Sequence, residues 1–124
     1  LSAEYANYRR RVERDRELQA SLTKAAIVTS LLPVLDDFDR AADHGELDGG
    51  FKAVADSVRA VVEANGVERF GTVGESFDPN FHEAMMSDTS ADVSEPTVTK
   101  VFQVGYRMED RVLRAARVGV TDAE

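Results

Sequence analysis

The sequence predicts an α+β chain, with helices up to about residue 66 and a small β unit after it. Three observations carry this. The first 44 residues contain no glycine and a single proline, Pro33, and a stretch of that kind reads as helix. Residues 51–65 place Phe51, Val54, Ala55, Val58, Val61 and Val62 at the i, i+3, i+4, i+7 spacing of one helix face. Beyond Gly66 the glycines recur every few residues and β-branched residues dominate, the composition of short strands and turns.

Taken in order, the first helix is too long for its own chain. Over residues 1–44 it would extend about 66 Å at 1.5 Å per residue, against a radius of gyration of about 14 Å for a globule of this size. Its opening part is thinly apolar: Leu1, Tyr5, Tyr8 and Val12 trace one seam, which lapses at Asp15 and Gln19 and resumes at Leu22. A narrow seam needs a partner, and an identical chain is the cheapest one. Residues 25–38 are apolar almost all round, as in a helix buried in a bundle. Pro33 is expected to kink or restart the helix there, since proline removes a backbone donor and clashes one turn back. A helix of about 1–32 and shorter ones of about 33–44 and 51–65 follow. Gly66 supplies the cap after Asn65.

In the β unit, residues 67–70 read as a strand. Phe77-Asp-Pro-Asn-Phe-His-Glu-Ala-Met85 reads as a capped turn or a one-turn helix, with Asp78 as N-cap and Pro79 in the first helical position. Residues 87–96 are polar and acidic and read as a loop. Residues 97–104 read as a strand that turns or bulges at Gly105-Tyr106, and 112–121 as a further strand. The resulting organisation is a helical region at 1–66 and a β domain at 67–124.

Composition limits the function. The 124 residues suit one domain or two small ones, with 43% hydrophobic and 31% charged residues. The net charge of −8 disfavours nucleic acid and anionic membranes. Most of that charge lies after residue 44. No run approaches the roughly 20 apolar residues of a membrane span. The absence of cysteine fits a reducing compartment, and the expected location is the cytoplasm. A start at Leu1 rather than Met reads as a fragment of a longer chain.

No constellation carries chemistry. Arg9, Arg10, Arg11, Arg14 and Arg16 alternate with Glu13, Asp15 and Glu17, the pattern of a solvated helix face with i, i+4 pairs. Asp78, His82 and Glu83 could in principle form a metal-dependent or acid/base site. A metal needs three or four converging ligands, and the other histidine, His44, belongs to a distant turn. His82 is better read as a structural residue that pins its turn by hydrogen bonds. The glycines match no phosphate loop and no dinucleotide fingerprint. The expectation is therefore no catalysis, no cofactor, no metal and no direct nucleotide binding.

Three segments at fixed spacing resemble the GrpE family: Phe77-Asp-Pro-Asn-Phe-His-Glu-Ala-Met85, then Gly105-Tyr106, then Asp110-Arg-Val-Leu-Arg-Ala-Ala-Arg-Val-Gly-Val120. The helical half agrees independently, through Tyr5-Ala-Asn-Tyr-Arg-Arg-Arg11 and Leu31-Leu-Pro-Val-Leu-Asp-Asp-Phe-Asp-Arg-Ala41. The resemblance implies a bacterial-type homodimer. Its long helices pair as a coiled coil, lead into a four-helix bundle and end in β wings. It implies a stress-response co-chaperone that is not an enzyme, a nucleotide exchange factor that binds the ATPase domain of a DnaK-type chaperone and promotes ADP release. The residues it assigns to the chaperone contact are Arg10, Arg40, Gly50, Pro79, Phe102 and Arg111. Those assigned to the dimer are Tyr5, Tyr8, Val12, Leu22, Leu31, Leu32, Leu35, Phe38, Val54, Val58 and Val61. The alternative is a coiled-coil adaptor or scaffold without exchange activity.

Overall fold

A computed structural model describes residues 1–124. It is α+β: helix α1 (Ser2–Asp43), helix α2 (Gly49–Ala64) and strands β1 (Val67–Phe70), β2 (His82–Ser90), β3 (Thr97–Gln103), β4 (Gly105–Met108), β5 (Arg111–Arg114) and β6 (Ala116–Ala123). Two compact units, Leu1–Ala55 and Asp56–Glu124, divide the chain. The division falls inside α2, upstream of the change in residue usage at Gly66.

Helix α1 corrects one expectation. It is a single helix of 42 residues that runs through Pro33, where a break into helices of 1–32 and 33–44 was expected. Proline costs one backbone bond, and the strong helix formers Leu31, Leu32 and Leu35 around it keep the helical path. Its buried residues, Ala25, Val28, Leu32, Leu35 and Phe38, form one stripe at spacings of three and four. Phe38 meets Phe51 of α2 edge to face, with ring centroids 5.9 Å apart. A second correction concerns hydropathy: an 18-residue window of α1 is long and apolar enough to cross a membrane by length and composition. A helix with a stripe packed against protein meets the same test.

The β unit holds two three-stranded sheets, ordered β1-β4-β5 and β2-β6-β3. Strand β6 is central in the second, parallel to β2 and antiparallel to β3. Only Val104 separates β3 from β4, and only Ala115 separates β5 from β6. The stretch 97–123 is thus one long hairpin that changes sheets halfway. Its tip lies at Glu109, which has a positive φ of 55°, and the Glu109 amide donates to the Gly66 carbonyl at 3.2 Å. At the corner, the Arg114 guanidinium donates twice to the Val104 carbonyl, at 3.1 and 2.9 Å. The strand expected over 112–121 is therefore two strands in different sheets. Gly105 opens β4 and forms no turn. The loop expected over 87–96 begins later, because β2 runs to Ser90. Its polar residues are held by pairing with β6 and need no buried face.

The core of this unit is Val98, Ala116, Val118 and Val120, with Phe70, Phe77 and Val101 against it. Alternation along β6 follows: residues 116, 118 and 120 point inward, and Arg117, Gly119 and Thr121 point to the other face.

Candidate partner-binding surface

The signature turn is built around His82, which is 6% exposed. Its Nδ1 accepts the Asp78 backbone N–H at 2.9 Å, so the ring proton sits on Nε2 and is donated to Glu75 Oε2 at 3.0 Å. The His82 amide returns a bond to the Asp78 carbonyl at 2.8 Å. Asp78 Oδ1 accepts the Asn80 amide at 2.9 Å, an Asx turn. The ring stacks on Phe77, with centroids 5.7 Å apart. These bonds close the turn from both ends and leave Pro79 exposed at its apex. Strand β2 begins at His82 itself, so the segment is a turn followed by a strand and contains no helical turn.

Glu75 is the electrostatic anchor. Partial burial would push its carboxyl up. Hydrogen bonds from Thr72, His82 and the Gly71 amide outweigh this and hold it down, from the ordinary 4.5 to about 2. A carboxylate depressed in the fold stabilises it above the unfolded value and loses that contribution as pH falls through the folded one. Acid unfolding monitored by circular dichroism should therefore show a loss of stability between pH 4.5 and about 2, and Glu75→Gln should flatten that limb. An unchanged acid limb in the variant would contradict this assignment.

The expected chaperone-contact residues are all exposed, on separate elements. Arg10, Arg40 and Gly50 belong to the first unit. Arg40 pairs with Asp37 one turn earlier. An added Cβ on Gly50 would meet no atom within 4 Å, so nothing within the chain demands a glycine there. Pro79, Phe102 and Arg111 belong to the second unit, in the signature turn, in β3 and at the start of β5. The expected dimer residues divide: Leu32, Leu35 and Phe38 are buried within the chain, Val12 and Val58 are partly covered, and Tyr5, Tyr8, Leu22, Leu31, Val54 and Val61 are exposed.

Sequence reasoning missed Met85, Met86 and Lys100. Both methionines are exposed on β2, and the Lys100 ammonium lies 5.0 Å from the centre of the Phe102 ring. The i, i+2 spacing of Lys100 and Phe102 on a strand was the available signal. The methionines had none, because their exposure comes from β2 being an edge strand.

Exposed apolar and cationic side chains on a rigid sheet, and an exposed apolar stripe on a long helix, define a protein that works by binding other proteins. The chain matches the GrpE family model over residues 1–122. It is 51% identical over 124 residues to Protein GrpE of Streptomyces griseus, covering 100% of this chain and 57% of that protein. It is 50% identical to Protein GrpE of Streptomyces coelicolor, with coverages of 100% and 55%. Protein GrpE of Mycobacterium leprae is 44% identical, with coverages of 98% and 54%. The chain belongs to the GrpE family, of the bacterial type. It spans about half the length of the curated relatives it matches.

Proposed function

We propose that the chain is an adenine nucleotide exchange factor that acts as a homodimer on the ATPase domain of a DnaK-type chaperone in the cytoplasm. The observation that carries this is the family match across residues 1–122. In this reading residues 1–66 dimerise and residues 67–124 form the wing that grips the chaperone. Ile27, Leu31 and Val34 support the dimer: they form a second apolar stripe on α1 and remain exposed beside the buried one, a pattern that calls for another chain. Phe102, Pro79 and Arg111 supply the wing's contacts, and Arg10, Arg40 and Gly50 supply those of the helices.

The exchange reaction needs no covalent step from this chain. A binding partner shifts an equilibrium only by its difference in affinity for the two states. The dimer would bind the open, nucleotide-poor ATPase domain better than the closed one, and bound ADP must then weaken its hold reciprocally. The test is release of fluorescent ADP from a DnaK-type chaperone, with particle mass measured in parallel. Accelerated release by a dimer is expected, and a folded dimer without acceleration would leave the adaptor reading. Gly50→Asp should keep the dimer mass and reduce chaperone affinity about tenfold or more, because it places a charge where close approach is needed. Undiminished binding by this variant would remove Gly50 from the interface.

A further inference from the structure

We propose that the outer face of the β2-β6-β3 sheet carries a notch over Gly119 that receives an apolar side chain of the chaperone's ATPase domain, whose neighbouring carboxylate pairs with Lys100. This rests on the exchange-factor reading above and adds a specificity determinant to it.

The argument starts from a residue that the strand itself disfavours. Gly119 lies in the middle of the central strand. Its backbone is not in the left-handed region, unlike that of Gly71 or Gly74, so conformation does not require glycine. Glycine inside a strand costs about 0.5–1 kcal/mol and commonly marks a bulge or the close approach of another group. Along the outer row of β6 its neighbours are occupied. Arg117 meets Glu83 at 3.5 Å. The Thr121 hydroxyl donates to Asp88 at 2.6 Å and shares a bond with Thr99 at 2.8 Å. Between these two polar clusters the row is blank.

The flanking strands turn toward that blank. Register shifts fall between Ala84 and Met86 on β2, and between Val98 and Lys100 and between Val101 and Gln103 on β3. Gly119 is thus opposite a bulge on either side, and bulges re-aim side chains. A Cβ at Gly119 would stand 3.3 Å from Lys100 Cβ, 3.4 Å from Met86 Cγ and 3.8 Å from Phe102 Cε2. These three form the rim, and a shallow pocket opens beside it toward Asp88 and Thr99. Met86 is 57% exposed and Phe102 47%, so both can close around an incoming group.

Charge selects the occupant. The β unit is strongly acidic, with Asp and Glu outnumbering Lys and Arg. Lys100 nonetheless holds its ammonium over the Phe102 ring with no carboxylate partner in its own chain. An acidic surface repels an acidic partner everywhere except at such a point. The complementary group is therefore a carboxylate set beside an apolar side chain small enough for the space above a glycine.

The test uses Gly119→Val and Lys100→Glu, with Lys100→Arg as the conservative control. Affinity for a DnaK-type ATPase domain and ADP release are measured, and folding is checked by circular dichroism and thermal midpoint. Gly119→Val fills the notch, and its neighbours are flexible exposed side chains, so the fold should persist. Each of the first two variants should weaken binding about tenfold, and Lys100→Arg should bind within about twofold of the parent. If Gly119→Val fails to fold, the fully solvated Lys100→Glu decides. Folded variants that bind like the parent overturn this inference alone. A parent that neither binds the chaperone nor accelerates release removes the exchange-factor reading and this one with it.

Discussion

Gly105→Ala is expected to unfold or severely loosen the β unit, although it adds one methyl group. The added Cβ would overlap two carbons of the Phe70 ring and lie 2.8 Å from the backbone nitrogen of Ala116. Neither neighbour can yield cheaply. Phe70 is held edge to face by Phe81 at 5.6 Å and by His82 at 6.2 Å. The Ala116 amide donates to the Phe81 carbonyl at 3.0 Å, and Ala116 is fully buried in the core. Overpacking of this kind costs about 1–3 kcal/mol, and more when backbone must move. Whole domains are stable by only about 5–15 kcal/mol. A fall in thermal midpoint of about 10 °C or more is expected for the β transition, while the far-UV helical signal survives. A midpoint within a degree or two of the parent would mean that the corner is looser than its contacts indicate.

The second large effect is a contrast between adjacent residues. Leu32 is 2% exposed and Leu31 is 39% exposed. Leu32→Asp puts an unpaired carboxylate into the buried stripe of α1. Burying such a charge costs several kcal/mol, and most of the helical signal should be lost. Leu31→Asp lies on the outward stripe. It should leave the chain helical and reduce the particle to a single chain of 13.6 kDa. Equal behaviour of the two variants in both measurements would refute the assignment of separate inward and outward stripes.

The helices were largely legible because their signals are local. Missing glycine, i, i+3, i+4 spacing and the Asn65-Gly66 cap all act within a few residues. Pro33 misled because a long run of helix formers on both sides outweighed one lost hydrogen bond. In the β unit the strands at 67–70 and 97–103 could be read, since each has a composition of its own. The end of β2 could not, because Ser87 to Ser90 are strand only through pairing with β6. Nor could the corner at Val104 and Ala115, where one apparent strand serves two sheets. For the binding surface, the residues implied by resemblance are all exposed, yet Met86, Lys100 and Gly119 went unnoticed. Their meeting depends on bulges, which are set by pairing between distant segments.

The central place of β6 has a kinetic consequence. His82 pairs with Ala116 in a parallel register, and parallel strands need long connections between them. Half of the core cluster and the middle of the sheet arrive with β6, after every other strand has been made. During synthesis β2 and β3 have nothing to pair with until it emerges, whereas the helices can form from contacts between near neighbours. The helical unit should fold early and the β unit late and all at once, limited by loop closure. A chain stopped before residue 116 would keep its helices and lose the whole β2-β6-β3 sheet.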